Sequence, residues 1–177
     1  MNSSLHEAAA RIEALVLDVD GVLTDGGIIY GPGGEWKVFD VQDGHGLAMA
    51  KKTGLKVAFL TGRTSAAVQR RAEELKVDVL LEGIVDKGIA FRELSERLGV
   101  EPGKICYVGD DLVDLPPLKE AGLAVAVANA VPEVKAAADW VTGRGGGHGA
   151  VREVVEALLK ARGVWDDLIR GFAGEDE

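Results

Sequence analysis

Short apolar runs alternate with longer stretches of helical periodicity along this chain. Residues 14–17 (ALVL) are a continuous apolar run bounded by acids, the pattern of a strand buried on both faces. Residues 56–60 (KVAFL), 79–81 (VLL), 105–108 (ICYV) and 123–127 (LAVAV) follow the same pattern. Between them, residues 65–75, 87–98, 115–121 and 132–138 carry helical patterning, with Gly99 and Gly122 placed as C-terminal stops. Five strands separated by helices predict an α/β fold, a doubly wound, Rossmann-like parallel sheet. One stretch breaks the alternation. Residues 27–30 (GIIY) and 35–39 (EWKVF) are extended runs around Gly31-Pro-Gly-Gly34, which predicts a small β-hairpin inserted after the first strand. The insert is well under the lower domain size of about 50 residues, so no large cap domain is expected. Beyond residue 141 lie a glycine-rich segment at 143–149 (GRGGGHG), an amphipathic helix from 150 to about 162, and a tail to 177 that is acidic at its end.

A length of 177 residues with 47% hydrophobic residues suits one core, and a single domain over 1–177 is the expectation. Twenty Lys plus Arg against 29 Asp plus Glu give a net charge of −9, which argues against nucleic acid or an anionic membrane surface as a partner. Cys106 is the one cysteine, so it has no internal disulfide partner and reads as a small buried apolar residue in a central strand. The N-terminal stretch shows no basic region followed by a long apolar run, so neither a secretion signal nor a membrane span is expected, and the cytoplasm is the expected location.

Ligands of open α/β sheets bind beyond the carboxyl ends of the strands. The first predicted strand is followed by Asp18, Asp20, Thr24 and Asp25, the second by Thr61-Gly62-Arg63, and the strand near 105 by Asp110, Asp111 and Asp114. Lys87 starts a predicted helix. Carboxylates gathered on one sheet edge repel one another unless a cation joins them. An all-oxygen donor set favours a hard ion, and Mg²⁺, which keeps several waters, needs only one or two protein carboxylates beside a substrate phosphate.

Other residues carry two readings each. Arg63 can pair with a substrate carboxylate or be a surface, helix-start residue. The 143–149 segment can cradle an anion on backbone amides, with Arg144, His148 and Arg152 adding charge, or serve as a flexible connection. His45 reads as a helix-start residue, either lining the pocket mouth or packing. Trp36 reads as an interface or core anchor rather than a substrate platform.

DVDGVLTDG at 18–26, TGR at 61–63, Lys87 in VDKG and GDDLVDLP at 109–116 together resemble the four motifs of the haloacid dehalogenase superfamily of phosphatases. The hairpin, FDVQDGHG at 39–46, VANAVPEV at 127–134 and GGGHGAVREV at 145–154 are further similar to its capless branch, which contains the 3-deoxy-D-manno-octulosonate 8-phosphate phosphatases. The likeness spans roughly residues 12–162. It implies that Asp18 is the nucleophile and Asp20 the acid/base, and that Asp18, the Asp20 backbone carbonyl and Asp110 hold Mg²⁺. Thr61 then hydrogen-bonds a phosphoryl oxygen, Lys87 offsets negative charge, and Asp111 and Asp114 orient Lys87 or metal waters. The implied substrate is a phosphorylated eight-carbon sugar acid, with nine-carbon sialic-type acid phosphates or a broad range of phosphomonoesters as alternatives. The resemblance also implies a homotetramer in which the 143–149 segment reaches a neighbour's site, and a role in lipopolysaccharide biosynthesis. His148 stands where that branch commonly has Arg or Lys. A non-catalytic phosphoacceptor module also gathers acids, Thr and Lys at strand ends, but it carries its acceptor on a middle strand and has no counterpart of Asp20. An assembly subunit without turnover is a third reading.

Overall fold

The computed structural model describes residues 3–174; the first two residues and the acidic end of the tail, 175–177, lie outside the described residues. The elements in chain order are α1 (Ser3–Ala10), β1 (Ala14–Leu17), β2 (Ile29–Gly31), β3 (Gly34–Trp36), α2 (Val41–Lys52), β4 (Lys56–Leu60), α3 (Ala66–Leu75), β5 (Val79–Leu81), α4 (Lys87–Leu98), β6 (Ile105–Gly109), α5 (Leu115–Glu120), β7 (Leu123–Ala126), α6 (Pro132–Ala137), β8 (Trp140–Val141), α7 (Ala150–Ala161) and α8 (Trp165–Ala173). All five expected strands form. They lie in a six-stranded sheet ordered β5-β4-β1-β6-β7-β8 whose neighbours are all parallel. The two-residue β8 is the sixth strand, too short to show a period. Helices α1, α2 and α7 pack together, as do α4, α5 and α6, and the two groups sandwich the sheet. Burial of every residue of β1, β6 and β7 follows from that sandwich, since neither face meets water. Cys106 and Tyr107 are fully buried.

The insert is an antiparallel pair, β2 with β3, registered Ile29 to Trp36 and Gly31 to Gly34. It stands off the main sheet and leaves Tyr30, Trp36 and Val38 exposed, so Trp36 is not a core anchor. The tail, for which the sequence pattern predicts no element, forms α8. Leu168 is its buried contact, and Trp165 sits beneath Lys160 and Arg152 of α7, 4.9 and 5.9 Å from its ring centre. Among the described residues no helix is long and apolar enough to cross a membrane.

Helix α2 holds down the start of α7. The residue before α7 is Gly149, which has no side chain to cap it. Asp43 of α2 substitutes: its Oδ1 accepts the Arg152 backbone N–H at 2.7 Å, while Oδ2 is buried with no partner among the described residues. Burial pushes the Asp43 carboxyl up to about 6 against the pull of the Arg152 amide, with the charge of Asp40 adding to the rise. This folded value lies above the unfolded value of about 3.9. The contribution of Asp43 to stability is therefore complete below about pH 4 and is lost as the pH rises through about 6. Asp43→Asn keeps an acceptor and buries no charge. Urea unfolding of both proteins between pH 4 and 7 should show the variant gaining on the native chain as pH rises; a constant difference would remove Asp43 from that pH dependence.

Candidate active site

The strand order sets β4, β1 and β6 side by side, with Leu17 level with Phe59 and with Val108. The residues that follow these strands, Thr61, Asp18 and Asp110, are thereby brought to one edge of the sheet. The Asp18 N–H donates to the Val108 carbonyl at 3.0 Å, so Asp18 continues the ladder by one step. The chain then turns on Val19, whose carbonyl accepts from Val22, Leu23 and Thr24. Gly21 makes that turn possible: its φ is +98°, and a Cβ there would fall 2.0 Å from Asp110 Oδ2.

Lys87 opens α4 and is 4% exposed. Its Nζ lies 2.8 Å from Asp18 Oδ1 and 2.7 Å from Asp114 Oδ1. Burial pulls Lys87 down, but the two carboxylates outweigh it and hold the ammonium above its ordinary range. Asp114 is fully buried and fully committed. Its Oδ1 accepts from Lys87 and, at 2.7 Å, from the Tyr107 hydroxyl, and its Oδ2 accepts the Asp110 and Asp111 amides at 2.9 and 3.2 Å. Asp114 therefore orients Lys87. Asp111 is exposed at the cleft and accepts from the Leu112 N–H at 2.7 Å, starting the short turn that carries Asp114 inward.

Asp18, Asp110 and Asp114 each offer a carboxylate oxygen, all within 4.8 Å of one another. Burial, then the charge of Asp114, pushes Asp18 up to about 6; burial, then the charges of Asp18 and Asp114, pushes Asp110 up to about 8. Asp110 Oδ1 is buried with no partner among the described residues. Since Asp114 is spoken for, Asp18 and Asp110 are the two carboxylates with capacity left, and their oxygens suit a hard divalent cation.

These residues line a cleft of about 210 Å³ together with Asp20, Thr61, Gly62, Arg63 and two apolar walls, Ile84 and Val113. Thr61 is 1% exposed; its hydroxyl oxygen accepts the Arg63 N–H at 3.2 Å. Asp20 turns toward the hairpin, where it pairs with Lys37, and Arg63 lies beside it and pairs with Glu35. Glu35 and Lys37 escaped the sequence reading. Their signal was there: they alternate with Trp36 and Val38 at period two, the charged pair turned toward Asp20 and Arg63 and the apolar pair facing away.

Three expected substrate-binding residues do not reach this cleft. His45, in the second turn of α2, is exposed and lies 5.3 Å, centre to centre, from the Phe172 ring of α8, so its contact is packing. Arg144 and His148 are exposed on the 143–149 segment. Five of the seven amides of that segment are committed within the fold, which leaves little of an anion cradle. Gly143 and Arg144 donate to Glu153, Gly146 to Asn129, Gly147 to Val22 and His148 to Gly145. The glycines serve close approach: a Cβ on Gly146 would fall 1.8 Å from the Gly21 carbonyl oxygen, so the segment braces the turn that carries Asp20. Asn129 ties the two together, donating to the Gly21 carbonyl at 3.0 Å and accepting from Gly146 at 2.6 Å.

The pattern of the haloacid dehalogenase-like hydrolases matches residues 80–153. The 3-deoxy-D-manno-octulosonate 8-phosphate phosphatase KdsC of Escherichia coli K12 is 46% identical over 160 residues, 90% of this chain and 85% of that protein. The Yersinia pestis KdsC is 41% identical over 169 residues, 95% of this chain and 88% of its own. Among solved structures, the Moraxella catarrhalis phosphatase of that name, in complex with magnesium ion, phosphate ion and KDO, superposes with a TM-score of 0.94 at 43% identity, covering 97% of this chain and 99% of that one. The cobalt-bound Haemophilus influenzae phosphatase gives 0.90 at 38% identity, covering 94% and 99%. The chain belongs to the haloacid dehalogenase-like hydrolases, in the branch of the 3-deoxy-D-manno-octulosonate 8-phosphate phosphatases.

Proposed function

We propose that this single-domain chain is a magnesium-dependent phosphomonoesterase that acts on 3-deoxy-D-manno-octulosonate 8-phosphate through an aspartyl phosphate on Asp18. The observation that carries the reading is the convergence of Asp18, Thr61, Lys87 and Asp110 on one sheet edge with Asp20 two residues on, in a chain so similar to a phosphatase that binds magnesium, phosphate and KDO. Asp18, Asp110 and the Asp20 backbone carbonyl would hold Mg²⁺, which when bound supplies positive charge against the phosphoryl oxygens. Asp18, whose Oδ1 is paired with the Lys87 ammonium at 2.8 Å, attacks phosphorus as a carboxylate. The bond from phosphorus to the sugar oxygen breaks, and that oxygen takes a proton from Asp20. Water then gives a proton to Asp20 and attacks phosphorus, and the bond to Asp18 breaks to release phosphate. Lys87 and the Thr61 hydroxyl meet the phosphoryl oxygens throughout.

Arg63 stands at the cleft mouth, where a sugar-acid carboxylate could exchange for Glu35. A cleft of about 210 Å³ is smaller than the roughly 300–1,000 Å³ of small-molecule pockets, so this chain alone does not enclose a sugar acid. The exposed apolar face of the hairpin (Ile29, Trp36, Val38) and the exposed Arg144 and His148 support a homotetramer whose neighbours complete each site. Work on a sugar phosphate of lipopolysaccharide synthesis supports a cytoplasmic location.

The test is phosphate release, with and without Mg²⁺, from the eight-carbon acid phosphate, a nine-carbon keto-sugar acid phosphate and a hexose phosphate. Metal-dependent preference for the eight-carbon acid is the expected result. Equal slow turnover of all three would overturn the substrate, and no release at all would overturn the enzyme. The native particle mass in the same preparation should equal four chains.

A further inference from the structure

The hairpin carries more than an apolar outer face. Lys37, one residue beyond β3, has a side chain with no exposure at all, and its Nζ pairs with Asp20 Oδ1 and, at 2.9 Å, with Glu35 Oε1. Glu35 is pinned in turn by Arg63. A buried ammonium is costly unless fully paired, so this network fixes Lys37 in place. Its grip on Asp20 is one-sided. Oδ1 is taken, whereas Oδ2 is buried with no hydrogen-bond partner among the described residues, and Arg63 Nε lies 3.9 Å from it. A lysine placed only to neutralise Asp20 could straddle both oxygens. This one holds the carboxylate by one oxygen and leaves the other without a donor, in a residue that lines the cleft.

We propose that Lys37 is a positioning residue for proton transfer: by holding Asp20 Oδ1 it sets the carboxylate plane so that Oδ2 is the oxygen that gives and takes the proton. The inference rests on the reading of Asp20 as the acid/base. When the bond from phosphorus to the substrate oxygen breaks, that oxygen keeps the electron pair and takes the proton from Oδ2. When water attacks the phosphorus on Asp18, its proton returns to Oδ2 and the Asp18 oxygen leaves with the bonding pair. Lys37 keeps its own protons in both halves. The insert thus contributes to the chemistry from outside the four motifs, through a residue that touches neither phosphate nor metal ligand oxygen.

Leaving groups separate this role from a structural one. An alkyl phosphate needs its departing oxygen protonated; p-nitrophenyl phosphate, whose phenolate leaves unaided, needs little help. The experiment compares kcat/KM for 3-deoxy-D-manno-octulosonate 8-phosphate and for p-nitrophenyl phosphate, at saturating Mg²⁺, in the native protein, Asp20→Asn, Lys37→Met, Lys37→Gln and Lys37→Arg. Asp20→Asn should lose about 10²–10⁴-fold on the sugar phosphate and far less on the aryl phosphate. Lys37→Met should follow the same pattern at about 10–100-fold, with KM for the sugar phosphate little changed, and Lys37→Arg should recover most of the loss. Lys37→Gln carries the same expectation should the methionine variant fail to fold. Equal losses on both substrates, or none, would overturn the proposal and leave Lys37 as a hairpin anchor. If Asp20→Asn itself shows no leaving-group difference, the acid/base reading fails first and this inference falls with it.

Discussion

Asp18→Asn should abolish turnover of phosphomonoesters, by at least about 10³-fold, while the fold survives with no loss of thermal stability. The neutral amide of asparagine cannot form the acyl phosphate that the Asp18 carboxylate forms. The fold tolerates the change because Asp18 is a net electrostatic burden without a cation: burial and the Asp114 charge raise its carboxyl to about 6. Removing one member of the Asp18, Asp110 and Asp114 cluster relieves that repulsion, and Lys87 keeps its contact with Asp114 at 2.7 Å. Phosphate release and a melting curve on the same sample check both halves. Normal turnover would show that Asp18 is not the nucleophile.

Lys87→Met should be the more damaging substitution, since it removes activity and stability together. The ammonium is 4% exposed and lies between two carboxylates that are themselves 5% and 0% exposed. Methionine fills the volume but leaves Asp18 and Asp114 buried without their shared cation, a change of the kind that costs about 3–5 kcal/mol. Tyr107 and two backbone amides still hold Asp114, so the loss falls mainly on Asp18. Adding Asp18→Asn to Lys87→Met should restore part of the stability and none of the activity, because the two residues belong to one network. Urea unfolding of the single and double variants reads this directly. A stability loss under about 1 kcal/mol for Lys87→Met would show that the ion pairs contribute little to the fold.

What the chain made legible follows from which signals are local. The strands at 14–17, 56–60, 79–81, 105–109 and 123–126 are continuous apolar runs because helices cover both faces, and such runs are visible without any partner. The residues behind them carry the site, so Asp18, Thr61, Lys87 and Asp110 were found together with the fold. Helix α2 was harder. Gly44 and Gly46 interrupt its apolar period, and their reason is tertiary: a Cβ on Gly46 would press on Arg152 and Val155 of α7. The 143–149 segment carries two readings, anion cradle or flexible connection, because glycine before a helix is ambiguous. Whether its amides face a ligand or Asn129, Val22 and Glu153 depends on residues up to about 125 positions away in sequence. Of the two readings of His45 the packing one holds, and its neighbour Phe172 belongs to a helix that the tail did not announce. Glu35 and Lys37 show the opposite case: their alternation was readable, but a charged pair on a short hairpin reads as solvated surface until the hairpin is folded over Asp20.

The central claim is that Asp18 carries the phosphoryl group. The direct measurement is acid quenching of the native protein during turnover of 3-deoxy-D-manno-octulosonate 8-phosphate, followed by mass spectrometry of its peptides. The expected result is one added phosphoryl group on the peptide containing Asp18, present with Mg²⁺ and lost in Asp18→Asn. Rapid turnover with no phosphorylated peptide, or with the group on another residue, would contradict the account.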